Sequence, residues 1–399
     1  MSLDLAKIVT QVSDMVTRLK DGLEERQECL QYALDTISRK AVDLEGLKKK
    51  IAASRTTWLV ADLVDGLADH YGAPSLPDEF TVIATDGSHI DVNRHHATRC
   101  YLINIGSAVI GYGAEPDATL KSFPHLYSNE EDLVITSSNG KGREPSVEGT
   151  LLGIKRGVAE CRQLAELAAV PPPGSTSLAL LDGTLILWGL EAYPEFVTEA
   201  MLDKGFLTYL EDMRKLNRDR KLALASYISF PRSTDVINTL RVAICPYEPA
   251  DCDRYCPPGK ERNCEATASV RDRELFLSLL SPGERSARFI SQSSVVRKHY
   301  GEHRVYFFYL RVDDEIARVE VPSWVAQDES LLELTHALVL DQCRRGHGYP
   351  VALSEAHEQA VVTGADREEF WYFVESSLVA AKIPTLSSAK SFSKRTRWV

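Results

Sequence analysis

Apolar residues recur at three- and four-residue steps from the start of the chain. Leu5, Ile8, Val9, Val12, Met15, Val16, Leu19 and Leu23 are continued by Leu30, Ala33, Ile37, Leu44, Leu47 and Ile51, with Glu, Lys and Arg between them. One face of an α-helix collects positions spaced in this way, and no proline occurs before Pro74. The pattern predicts helix over residues 1 to about 70. It fits a helical hairpin or coiled-coil arm for docking or dimer contact, and equally an amphipathic helix pair packed on its own domain. Tyr71-Gly-Ala-Pro-Ser-Leu-Pro77 is a linker by its Gly and Pro content.

The period then changes. Phe80-Thr-Val-Ile-Ala-Thr-Asp-Gly-Ser-His-Ile-Asp-Val92 opens as a buried strand. It is expected to break at Asp86-Gly87-Ser88, where glycine permits a tight bend and leaves the Asp86 carboxylate at the strand end. About a hundred residues on, Leu178-Ala-Leu-Leu-Asp-Gly-Thr-Leu-Ile186 repeats the arrangement. Two strands that each deliver an aspartate at the same place suggest one sheet with paired carboxylates, which repel unless a cation or proton sits between them. Asp-Gly is also plain turn chemistry, which is the competing reading.

Further elements alternate between the two periods. Arg99 to Tyr112 reads as a second strand and a third, Ser128 to Arg143 as an exposed loop, and Glu144 to Leu167 as a helix with Pro145 in its first turn. Glu195 to Leu216 reads as helix, Lys221 to Ser229 as strand, Val305 to Val312 and Glu315 to Trp324 as strands, and Asp328 to Cys343 as helix. Tyr349 and Pro350 mark a strand start, with Ser354 capping a short helix that carries His357. Strand, strand, helix, strand, helix, strand points to a layered α/β domain.

Composition adds limits. Of 399 residues, 44% are hydrophobic and 26% charged, the mix of a globular protein with two or three structural units. No apolar run is long enough for a membrane span, and the N-terminus lacks a secretory pattern, so a cytoplasmic location is expected. The net charge of −11 argues against a basic nucleic-acid coat, though not against a local basic groove. No Walker-type phosphate loop occurs, so the chain is not itself a motor ATPase.

Four of the eight cysteines, Cys245, Cys252, Cys256 and Cys264, fall within twenty residues. Their segment is too rich in Pro, Asp and Gly to be core. Four thiolates there could hold a structural Zn2+ or an iron–sulfur cluster, although the spacings of six, three and seven residues do not match paired Cys-x-x-Cys knuckles. The alternative is a surface loop with free thiols. The tail, Lys390 to Trp398, is basic with interleaved aromatics and could follow a phosphate backbone, or simply be a solvated terminus.

Ala84-Thr-Asp-Gly-Ser88 and Leu180-Leu-Asp-Gly-Thr184, followed by Gly348-Tyr-Pro and by Ala356-His357, resemble the NurA nucleases. Tyr227-Ile-Ser-Phe-Pro-Arg-Ser and Gly283-Glu-Arg-Ser286 look like a bacterial branch of that family. The resemblance implies an RNase H-like mixed sheet flanked by helices, with an N-terminal helical or coiled-coil arm. Together with the helical periodicity, the cysteine cluster and the basic tail, it divides the chain into a helical arm at 1–72, core segments at 78–244 and 271–385, a Cys-rich insertion at 245–270 and a basic tail at 386–399. It also implies a Mn2+- or Mg2+-dependent DNA nuclease with two cations per site, a homodimer, and a HerA-type hexameric translocase as partner in DNA end resection. Asp86, Glu148, Asp182, Tyr349 and His357 take the family's catalytic positions, with Asp86, Glu148, Asp182 and His357 as metal ligands and Glu160 the alternative to Glu148. Arg232, Arg285 and Arg288 are candidates for phosphate contacts, or ordinary surface charges. The chain departs from the family in its cysteine cluster and Pro-rich loop, and in carrying Tyr227-Ile-Ser229 where archaeal members often show a lysine.

Two readings of other classes stand beside this one: a non-catalytic adaptor docking on a motor ATPase, and a metal-dependent RNase or phosphoesterase.

Overall fold

A computed structural model of the chain describes residues 4–40, 43–92, 98–137, 144–257, 259 and 262–383. The expected Asn139–Gly142 loop tip and the basic tail therefore lie outside the described residues. The chain divides into two compact units. The smaller takes Met1–Ala73, Ser229–Ser293 and Tyr306–Val319, and the larger takes Pro74–Ile228, Ser294–Val305 and Glu320–Val399. In chain order the strands are β1 (Asp62–Leu63), β2 (His70–Tyr71), β3 (Phe80–Ile90), β4 (Tyr101–Tyr112), β5 (Asp117–Tyr127), β6 (Thr176–Asp182), β7 (Lys221–Ile228), β8 (Arg285–Ser286), β9 (Phe289–Ile290), β10 (Val305–Val312) and β11 (Glu315–Pro322). The architecture is mixed α/β, a mixed sheet flanked by helices with a helical N-terminal region.

In the larger unit the strand order is β7-β6-β3-β4-β5. The β3–β6 and β6–β7 pairs are parallel, whereas β4 runs antiparallel to both β3 and β5. Parallel neighbours need a crossover connection. The Thr150–Ala168 helix precedes β6, and the continuous helical run 195–216 joins β6 to β7. Ser177 to Leu181 of β6 are buried throughout, as a strand covered on both faces must be.

β3 does not break at Asp86-Gly87-Ser88. It continues to Ile90, with Gly87 paired to Ile105 of β4. Gly87 is there for close approach rather than for a turn: a Cβ on it would lie 2.5 Å from Glu160 Oε1 and 3.0 Å from Arg156 Cγ. In the second copy the strand does end at Asp182, and Gly183 takes a left-handed φ of 83°. Gly106 of β4 does the same service on the other face, since a Cβ there would run into the backbone of Ala356.

The segment after Tyr349 also differs from expectation. No strand forms; Pro350 is the N-cap and the helix spans Val351–Ala360. Proline suits a helix start because its missing N–H would find no intrahelical acceptor there. This helix is seated on β3 and β4 by polar contacts: Asn104 Nδ2 donates to Ala360 O at 2.9 Å and to Gln359 O at 3.1 Å, and Ser88 Oγ donates to Ala360 O.

In the smaller unit β1 pairs with β9, β9 and β8 with β10, and β2 with β8, all antiparallel. Helix does not run to residue 70. It ends at Ala53, and the Thr- and Val-containing stretch beyond supplies β1 and β2 instead. The apolar stripe splits in two. Ala33, Ile37, Leu47 and Ile51 join Ile237, Phe276, Phe289 and Phe307 in the core of this unit. The Val9–Asp21 helix buries nothing, and Leu5, Val9, Leu19 and Leu23 are exposed.

Candidate active site

Thr85 and Leu181 are the last residues paired between β3 and β6, so Asp86 and Asp182 follow side by side on parallel strands. Asp86 lies opposite Gly106 of β4. Directly opposite residues share a face, so the Asp86 carboxylate is on the side of the Val351–Ala360 helix, which presents His357. His357 Nδ1 lies 2.6 Å from Asp86 Oδ2, and the Gly87 N–H donates to Asp86 Oδ1 at 2.7 Å. The Tyr349 hydroxyl, two residues before that helix, donates to Asp182 Oδ1 at 2.9 Å. Tyr227, the β7 partner of Asp182, meets the Tyr349 ring edge-on with 5.6 Å between centroids.

Glu160 approaches β3 from the other face. Side chains alternate along a strand, and the missing Cβ of Gly87 is the place its carboxylate fills. Its backbone carbonyl accepts from Thr85 Oγ1 at 3.1 Å, tying the Thr150–Ala168 helix to the strand. One turn earlier on that helix, Arg156 Nε lies 3.0 Å from Glu160 Oε1. Burial pushes the Glu160 carboxyl up to about 8; Arg156 works in the opposite direction, and Asp86 and Asp182 add to the rise. Asp182 is also raised, first by burial and then by Asp86, against the Tyr349 hydrogen bond, the Gly183 N–H and His357. Burial chiefly, with Asp182 adding, raises the Tyr349 hydroxyl, which therefore keeps its proton at neutral pH.

The chain beyond Asp182 is fastened from β11. Glu320, 1% exposed, accepts from Thr184 Oγ1 at 2.7 Å and from the Leu185 N–H at 2.9 Å. The buried Tyr300 hydroxyl donates to Leu185 O at 2.9 Å and accepts from the Leu187 N–H at 3.0 Å. Sequence reasoning passed over Glu320, Tyr300 and Arg156. For Glu320 a signal exists: a lone acid between Val319 and Val321 in a strand buried on both sides.

Among the described residues no three His, Cys, Asp or Glu side chains converge as a ligand set. The acids are instead matched with Arg156, Tyr349 and His357. The donor chemistry nevertheless fits a hard divalent cation: carboxylate oxygens with one imidazole, in which Glu160 and Asp182 are raised by burial first and then by neighbouring carboxylates. A cation would relieve that repulsion, and Glu160 Oε1 is buried without an aligned hydrogen-bond donor.

Glu148 is not part of the Thr150–Ala168 helix; it precedes the N-cap Gly149, and its carboxylate lies 3.5 Å from Arg99 Nη2. Arg285 and Arg288 do not fit free phosphate contacts. Arg285 is 3% exposed, donates to Ser286 O and stacks 4.0 Å over the Tyr71 ring. Arg288 grips Asp65 with both Nε and Nη2, at 2.9 and 2.8 Å. Arg232 is exposed. Cys245, Cys252, Cys256 and Cys264 are free thiols, and among the described residues they do not form the four-thiolate site expected of them. Cys264 is buried and Cys245 packs against the apolar core of the smaller unit, and Cys256, Cys264 and Cys245 all stand close enough to Cys252 to add to the rise that burial gives its thiol. No described helix is long and apolar enough to cross a membrane.

No curated protein matches the sequence. Among solved structures, a NurA crystallised with manganese is 11% identical, with 87% of this chain and 98% of that one covered and a TM-score of 0.38. An Argonaute from Aquifex aeolicus is 12% identical, covering 72% of this chain and 28% of that one, with a TM-score of 0.26. A family model described as the NurA domain matches residues 80–362, a span that takes in β3, β6 and the Val351–Ala360 helix with Asp86, Glu148, Glu160 and Asp182. The protein therefore belongs to the NurA family of nucleases.

Proposed function

We propose that the chain is a metal-dependent DNA nuclease, with 5′–3′ exonuclease and single-strand endonuclease action, working in end resection and double-strand break repair. The observation that carries this reading is the pair Asp86 and Asp182, side by side on parallel strands and bonded to His357 and Tyr349. Asp86, Asp182 and His357 would hold Mn2+ or Mg2+, with Glu160 a better-supported third acid than Glu148. A pair of such cations, when bound, lowers the pKa of an attacking water and stabilises the leaving oxygen of a phosphodiester.

The protein's own groups do the rest. Tyr349 keeps its proton and donates a hydrogen bond to Asp182, which fixes that carboxylate's orientation. His357 turns Nδ1 to Asp86, leaving Nε2 as the ring nitrogen that would ligate the cation, with Asp86 fixing the ring's orientation. Glu320 holds the chain after Asp182 by two hydrogen bonds, so the carboxylate is presented from a fixed loop. The resemblance to NurA nucleases supports a homodimer and a HerA-type hexameric ATPase as partner.

Purified protein incubated with labelled single- and double-stranded DNA, RNA and a small phosphoester, with Mn2+, Mg2+ or chelator, tests the reading. DNA shortened with Mn2+ and intact with chelator is the expected result. Folded protein that leaves every substrate intact supports the adaptor reading instead, and cleavage of RNA or the phosphoester alone supports the third. Co-purification with a HerA-type ATPase and light scattering test the partner and the dimer.

A further inference from the structure

Phe230 is an unusual residue in the smaller unit. It stands in the Tyr227-Ile-Ser-Phe-Pro-Arg-Ser motif, follows β7, and is 56% exposed. Its backbone sits in the left-handed region at φ 46°, a conformation that bulky residues avoid and that persists where the surroundings enforce it. Arg273 lies against Phe230. Its Nη1 donates to Phe230 O at 3.4 Å and Pro231 O at 3.5 Å, and its guanidinium lies 3.6 Å over the ring. One ring face is thus covered by a cation while much of the residue remains open to solvent.

Basic side chains gather at this ring in a chain whose net charge is −11. Arg232 is exposed and makes no hydrogen bond or ion pair among the described residues. Arg271 and Arg273 flank the start of the Asp272–Leu279 helix. Burial, then Arg271, Arg26 and Arg232 with their like charge, lowers the Arg273 pKa, against Glu274. The two acids in the first turn of that helix are already engaged. Glu274 pairs with Arg26 and accepts from the Arg271 N–H, while Asp272 is buried and accepts from the Ile237 N–H and the Tyr309 hydroxyl.

An aromatic ring raised from the surface amid guanidinium groups matches the chemistry of single-stranded nucleic acid, whose bases stack and whose phosphates seek cations. We propose that Phe230 is a stacking platform for an unpaired base, with Arg232, Arg271 and Arg273 meeting the adjoining phosphates. The proposal deepens the nuclease reading by naming where an unpaired strand is held. It uses none of the acids of the candidate active site.

The test is fluorescence anisotropy with a labelled oligothymidylate of about a dozen nucleotides, in chelator so that no cleavage occurs. Wild type, F230A, F230W and R232A are compared, with an abasic strand and oligouridylate as further probes. F230A is expected to weaken oligothymidylate binding about tenfold and abasic binding hardly at all. F230W should bind as wild type with its added indole fluorescence quenched, and R232A should lower the salt slope by about one. Equal losses on oligouridylate would mean that the platform reads bases without regard to the sugar. Oligothymidylate affinity of F230A within about twofold of wild type, with an unchanged melting temperature, overturns the platform. If wild type binds no oligonucleotide, the nuclease reading falls with it; if wild type cleaves DNA and F230A binds normally, only the platform falls.

Discussion

Gly87 and Glu160 meet on the face of β3 opposite Asp86, and the glycine's absent Cβ is what lets the carboxylate in, since a Cβ would stand 2.5 Å from Glu160 Oε1. The Thr150–Ala168 helix carries that acid to the level at which β6 stops, beside Asp182. Beyond Asp182 the edge of β3 toward β6 is unpaired by that strand. Acids on two faces of one strand thus stand near an open edge, close enough for Asp86 and Asp182 to raise the Glu160 pKa.

Gly87→Ala is accordingly expected to push Glu160 and Arg156 away from β3. The overpacking should lower stability by about 1–3 kcal/mol, read by urea unfolding. Misplacing the acid should cut DNA cleavage about 100-fold. Cleavage at the wild-type rate would show that the close approach is irrelevant to the chemistry.

Removing the charge of Asp86 or Asp182 separates the acids by role. D86N and D182N should each lose about 1,000-fold in cleavage rate with an unchanged circular dichroism spectrum. E160Q should lose about 100-fold, while E148Q, whose carboxylate faces Arg99, should stay within about tenfold of wild type. The reverse order for the two glutamates would return the third-acid role to Glu148.

In the proposed site Tyr349 orients Asp182, and His357 both touches Asp86 and ligates the cation. Y349F keeps the ring against Tyr227 but removes the hydrogen bond to Asp182, so a loss of about tenfold in activity and weaker Mn2+ binding by calorimetry are expected. H357A loses both the Asp86 contact and a metal-ligating nitrogen and should fall about 100-fold, with weaker Mn2+ binding by calorimetry.

The raised Glu160 carboxyl makes stability depend on pH in a definite direction. In the fold it holds its proton up to about 8, whereas the unfolded chain releases it near 4.5. Between those values the folded state binds more protons, so this group's contribution is full below the lower value and is lost as pH rises through the upper one. E160Q removes the dependence. In chelator, the stability of wild type relative to E160Q should fall by on the order of 4 kcal/mol between pH 5 and 8, measured by urea unfolding. Added Mn2+ should flatten the wild-type curve. Parallel curves for the two proteins would show that Glu160 is not held protonated.

The amino-acid pattern was enough to read an α/β chain with a helical start, and to find the two apolar runs that end in Asp-Gly. Those are local signals: a two-residue period, a run of branched side chains, a glycine where the run changes. Tyr349 and His357 were legible only through resemblance, because nothing nearby in the chain explains them. What folding added is which groups face each other. His357 reaches Asp86 across 271 residues of sequence, and no local period encodes that. The same limit explains why Gly87 read as a bend when it serves close packing, and why Glu148 was placed ahead of Glu160. It also explains why Arg285 looked like a surface charge when its guanidinium is buried over Tyr71. Periodicity states that a residue is inside or outside an element; the partner it meets depends on strand register and helix seating, and those are settled only when distant segments pack.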